Sequence, residues 1–151
     1  MSRESTLRER AVRLLAGREH SRIELRRKLL LFADSPDALD ALLDELVHSR
    51  LLSDDRYAEA RAHRLSQRYG SLRLERELRQ RGVADAPLER VVAEARRTDL
   101  ERAREVWRRR FGEVPRTAQE RARQMRFLQN RGFEIDVIRS VVRGEEAEEP
   151  S

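Results

Sequence analysis

The chain has 151 residues, 38% apolar and 40% charged, with 33 basic residues against 28 acidic ones and a formal charge of +5. Soluble domains usually carry about 45–50% apolar and about 25% charged residues, so a single deep core is excluded and thin helical layers with small cores are expected. Zero cysteines remove disulfides and thiolate metal sites and suit a reducing compartment. Strand-like alternation is absent and only six Gly and four Pro occur, which predicts an all-α chain. In chain order, helices are expected over about residues 7–18, 22–32, 36–50, 54–69, 72–81, 86–97, 99–111, 118–131 and 134–143. Capping boxes mark starts at Thr6 with Glu9, Ser21 with Glu24, and Thr117 with Glu120. Ser35 followed by Pro36 marks another. "RRTDLERAREV" offers only Thr98 and Asp99 as a break, so the sixth and seventh helices can run together.

These elements repeat. "LRQRGVADAPLERVV" at 78–92 aligns with "LQNRGFEIDVIRSVV" at 128–142 at a constant offset of 50. Arg81 and Gly82 fall on Arg131 and Gly132, and Val83 falls on Phe133. An earlier segment fits at an offset of 49, placing Leu29, Leu39, Leu42 and Leu43 on Leu78, Leu88, Val91 and Val92. Three copies fill nearly the whole chain, the sign of a helical repeat array. Repeat one spans 1–53, repeat two 54–98 and repeat three 99–143, followed by a disordered acidic tail at 144–151. Gly82 and Gly132 are read as left-handed helix stops, with Leu78 packing on Val83 and Leu128 on Phe133. Ala33 stands at the glycine position of the first copy, where a looser stop is expected.

Catalytic and cofactor chemistry finds no support. The six glycines are scattered and make no phosphate loop. His20, His48 and His63 form no metal-spaced pair, and serines sit where helices start. A non-enzyme without metal or other cofactor is expected. Tyr57, Tyr69, Trp107, Phe111, Phe127 and Phe133 recur with helical spacing among aliphatic residues and are read as core. "SDDRYAEA" at 53–60 reads first as a capped helix start, with Asp54 and Asp55 favourable near its positive end. As a rival, the two aspartates offer a partner an acidic contact.

Charge suggests a surface. Lys28 is the sole lysine, so 32 of the 33 basic residues are arginine, a head group suited to carboxylates and phosphates. On the second helix of copy two, Leu74 and Leu78 set the buried direction at about 100° per residue, which turns Arg76 outward. The offsets map Arg76 onto Arg27 and Arg126. Arg73 and Arg123 lie on a flank, where copy one has Glu24. Arg27, Arg73, Arg76, Arg123, Arg126, Asp54 and Asp55 are therefore the candidate partner-binding residues. In the competing reading, these arginines merely solvate helices and pair with nearby glutamates.

The segments "EHSRIELRRKL", "LLSDDRYAEARAHRLSQRYGSLRLERELRQRGV" and "RFLQNRGF" resemble the RecX family of bacterial recombination regulators, over about residues 8–142. The middle segment is the most specific, with Asp54, Asp55, Arg56, Tyr57, Ala58, Gly70, Leu78, Arg81 and Gly82 satisfying the family pattern. The resemblance implies three tandem three-helix repeats forming an elongated, curved array. It also implies a cytoplasmic, monomeric, non-enzymatic protein that binds the RecA recombinase and RecA–DNA filaments. Such a protein inhibits filament growth, ATP hydrolysis and strand exchange in homologous recombination and the SOS response. The alternative is a helical module acting directly on DNA, motivated by a pI near 10.7.

Overall fold

The structure is a computed structural model and describes residues 5–144; the acidic tail predicted for the end of the chain lies outside them from residue 145 onward. Eight α-helices follow in order: α1 Leu7–Gly17, α2 Arg22–Leu29, α3 Pro36–His48, α4 Asp54–Leu65, α5 Ser71–Gln80, α6 Asp85–Arg110, α7 Ala118–Asn130 and α8 Ile135–Arg143. A 3₁₀ turn at Leu30–Phe32 follows α2. Among the described residues there is no strand. The all-α array of tandem three-helix copies read from the sequence is present.

Local chemistry explains most helix starts. Thr6 and Glu9 form the complete reciprocal capping box of α1, and Ser35 caps α3 with Pro36 in its first turn. Ser53 Oγ accepts the Arg56 N–H of α4 at 3.2 Å. Thr117 accepts the Glu120 N–H, but the Glu120 carboxylate takes the Arg116 N–H at 2.8 Å instead of the cap residue's own. At Ser21 the box is half formed, because Glu24 turns to Arg18, with both guanidinium nitrogens within 2.9 Å of its two oxygens. The sixth and seventh predicted helices are the single helix α6. Thr98 donates back to the Ala95 carbonyl, a bond compatible with a continuous helix, and Asp99 has partners elsewhere that keep it inside one.

The chain forms two compact units, Met1–Arg61 with Leu78–Leu88 and Ala62–Glu77 with Glu89–Ser151. In the first, Ala11, Leu25, Leu29, Leu39, Leu43, Leu46 and Leu52 make a closed cluster from α1, α2, α3 and the segment after α3. In the second, Ala103 of α6 meets Leu128, Phe133, Ile138, Val141 and Val142 of α7 and α8. Small cores of this kind match the low apolar fraction.

The two predicted glycine stops hold. Gly82 has φ +73° and Gly132 φ +86°. The Val83 N–H returns to the Leu78 carbonyl at 3.1 Å and that of Phe133 to Leu128 at 3.4 Å, and all four side chains are buried. Ala33 instead has extended backbone, φ −86°, after the 3₁₀ turn.

Candidate functional site

The glycines have a second role. In the first unit the turn at Gly82 lies against the start of α2. Ser21 Oγ donates to the Arg81 carbonyl at 2.9 Å, and a Cβ on Gly82 would come within 2.8–2.9 Å of three Ile23 side-chain atoms. In the second unit the turn at Gly132 lies against the start of α5. There the Gly70 N–H donates to the Arg131 carbonyl at 2.8 Å and the Leu72 N–H to the Gly132 carbonyl at 3.0 Å. A Cβ on Gly132 would lie 2.8 Å from the Arg73 backbone nitrogen. At Gly132 the carbonyls that end α7 thus meet orphan backbone N–H groups at the start of α5, whereas at Gly82 the Arg81 carbonyl meets the Ser21 hydroxyl that caps α2.

An aspartate completes each junction. Asp54 Oδ1 accepts the Arg22 N–H at 2.8 Å and Oδ2 the Ala84 N–H at 3.0 Å. Its carboxylate thereby satisfies the first turns of α2 and α6 in the first unit, which gives Asp54 a structural task. In the second unit Asp99 takes the corresponding place. Its carboxylate accepts the Ser71 N–H at 3.1 Å and the Ser71 hydroxyl, and it pairs with Arg102. Arg102 also donates to the Ser66 carbonyl at 2.7 Å. Asp99 is almost fully buried, and this desolvation pushes its carboxyl above the usual range against the opposing pull of Ser71 and Arg102. Asp99 is not visible as a partner of Ser71 in the sequence, because 28 residues separate them.

The remaining candidates are surface residues. Arg27, Arg73, Arg76, Arg123, Arg126 and Asp55 are all exposed, whereas Asp54 is half-buried. Arg27 belongs to the first unit; Arg73, Arg76, Arg123 and Arg126 belong to the second. Arg123 lines a shallow groove with Phe111, Glu113, Val114, Arg116, Glu120 and Gln124.

The aromatic residues divide. Tyr57 and Phe133 are buried core, as predicted. Trp107 is half-buried against the second cluster, and its indole N–H donates to Gln124 Oε1 at 2.8 Å while Gln124 in turn donates to the Glu113 carbonyl. Tyr69 and Phe127 depart from a purely core role, because guanidinium groups lie against their rings. Arg73 lies 3.9 Å from the Tyr69 centroid, and Arg131 lies 5.6 Å from Tyr69 and 5.2 Å from Phe127. Arg110 lies 5.6 Å from the Phe127 centroid. Phe127 and Arg131 are four apart at the end of α7, within reach along a helical path, whereas Tyr69 lies before α5 and shares no helix with Arg73.

Comparison with known proteins agrees with this repeat construction. Residues 53–91 match the family described as RecX, second three-helix domain, and residues 98–142 match RecX, third three-helix domain. The regulatory protein RecX of Leptothrix cholodnii is 46% identical over 138 residues, covering 91% of this chain and 88% of that one. The regulatory protein RecX of Chromobacterium violaceum is 48% identical over 139 residues, covering 92% and 90%. Among solved structures, RecX from Lactobacillus salivarius superposes with a TM-score of 0.80 over 91% of this chain and 93% of that one, at 17% identity, a likeness of fold. The sequence match over nearly the full length of both chains, carried on a repeat array of the same fold, makes this chain a member of the RecX family of regulatory proteins.

Proposed function

We propose that this protein binds the RecA recombinase and RecA–DNA filaments and restrains filament growth, ATP hydrolysis and strand exchange, without catalysing a reaction of its own. The observation that carries this reading is the identity of 46–48% to regulatory proteins RecX across about nine-tenths of each chain. Arg27, Arg76 and Arg126 recur at one register position of the second helices and are exposed, which suits contacts to carboxylates on RecA or to phosphates of the filament. The proposed setting is the cytoplasm, with the protein acting as a monomer. Among the described residues no helix is long and apolar enough to cross a membrane.

The test is ATP hydrolysis by RecA assembled on single-stranded DNA, followed as this protein is added. The rate is expected to fall at protein concentrations that leave naked DNA unbound. A rate that stays constant up to an excess of this protein over RecA defeats the proposal. A rate that falls only in step with occupation of naked DNA transfers the activity to direct DNA binding, whose affinity drops steeply with salt through counterion release.

A further inference from the structure

The second unit carries an alternating row of arginines and rings: Arg73, Tyr69, Arg131, Phe127 and Arg110, in that order of contact. Phe111 closes its end, edge-on to Phe127 with centroids 5.3 Å apart. Some arginines of this chain are neutralised by carboxylates, as in Arg18 with Glu24, Arg26 with Asp40, and Arg56 with Glu19. In the row, Arg73, Arg110 and Arg131 have no carboxylate partner among the described residues; Arg131 makes only a long bond, 3.5 Å, to the Arg68 carbonyl. A ring face attracts a guanidinium without cancelling its charge. Tyr69 and Phe127 therefore hold three cations close together with their hydrogen-bonding edges unspent.

We propose that this row is a binding site for the phosphodiester backbone of a nucleic acid. A planar guanidinium presents paired N–H groups that match two phosphate oxygens, and three neighbouring cations repel one another until a polyanion joins them. The Tyr69 and Phe127 rings are already engaged by arginine, so bases are not stacked on them and the site reads no sequence. Binding is consequently electrostatic and uniform across sequences. This surface goes beyond the RecA reading and does not rest on it, since it operates on naked nucleic acid.

The test uses the full chain, no RecA, and a labelled 20-residue oligothymidylate, with affinity followed by fluorescence anisotropy from about 50 to 200 mM salt. Single-stranded nucleic acid gives a slope of about −0.7 in log affinity against log salt for each phosphate neutralised. The variant R73Q/R110Q/R131Q should therefore lose about 2 from the magnitude of the slope. R73K/R110K/R131K keeps the charges and should keep the slope. R13Q/R64Q/R139Q removes three exposed arginines elsewhere and should lose less than half as much. Equal losses in the two glutamine variants overturn the proposal, because net charge alone then accounts for binding. So does a parent that binds polyglutamate of matched length as tightly as the oligonucleotide, which assigns the row to an acidic protein partner. If circular dichroism shows the glutamine triple to be unfolded, Arg110→Gln alone, in the exposed last turn of α6, decides the matter by a slope loss of about 0.7 or none.

Discussion

Three alanine substitutions separate the two demands placed on the junction glycines, left-handed backbone and close approach. Gly70→Ala tests approach alone, because no positive φ is involved. Its new Cβ would meet the Gly132 carbonyl, with the carbonyl carbon at 2.6 Å. The neighbour is backbone, so the junction must open and weaken the Gly70–Arg131 and Leu72–Gly132 hydrogen bonds, at about 1 kcal/mol each, or about 2 kcal/mol in total. Gly82→Ala tests mainly conformation, since the three atoms nearest its Cβ all belong to the side chain of Ile23, which is partly exposed and can turn aside. The left-handed penalty of about 1–2 kcal/mol should dominate there. Gly132→Ala incurs both effects, because φ is +86° and the Arg73 backbone nitrogen lies 2.8 Å away, so a loss of about 3–4 kcal/mol is expected. For a chain of this size that corresponds to a fall in Tm of roughly 10 °C. Urea unfolding followed by far-UV circular dichroism gives all three values. Equal losses at Gly82 and Gly132, or a harmless Gly70→Ala, would refute the account of the junction as a backbone contact.

Further expectations concern charge. Asp99→Ala leaves the half-buried Arg102 without its carboxylate and removes the acceptor of Ser71; a loss of about 3 kcal/mol is expected, and an unchanged urea midpoint would contradict it. Burial holds His20 below the ordinary imidazole value, and its Nδ1–H donates to the Arg18 carbonyl while Nε2 accepts from the Lys28 ammonium at 2.9 Å. A depressed folded pKa supplies stability above the unfolded value of about 6.5 and loses it as pH falls through the folded one. Unfolding midpoints should therefore drop from pH 7.5 to pH 5.5, and His20→Gln should flatten that drop; an equally steep drop in the variant removes His20 as the cause. Changing Arg27, Arg76 and Arg126 together to Ala should shift stability by under about 0.5 kcal/mol per site while markedly weakening inhibition of RecA ATP hydrolysis. Undiminished inhibition by the folded triple variant would send the search for contacts to other surfaces.

What could be read from the sequence was local. The stops at Gly82 and Gly132, the caps at Thr6, Ser35, Ser53 and Thr117, and the leucines facing each core all follow from neighbours within a few residues. The option of one helix through Thr98 and Asp99 followed from the lack of a breaker there. What escaped lay across large separations. The approach of Gly132 to Arg73 joins residues on different helices, and the hold of Asp99 on Ser71 joins two copies. Helical spacing identified Tyr69 and Phe127 as apolar positions, but it could not show that arginines from three different segments would meet at their rings.

The junctions also bear on the order in which the chain can fold. The N–H groups of Gly70 and Leu72 depend on carbonyls of Arg131 and Gly132, about 60 residues later in synthesis. At roughly 5–20 residues per second, a ribosome delivers those carbonyls about 3–12 s after the donors, long after a helix of this length can begin to form. Copy two therefore emerges with the start of its second helix open to water and is completed only by its successor. Folding of this chain during translation should lag synthesis by about one copy, with the newest copy always finishing the one before it.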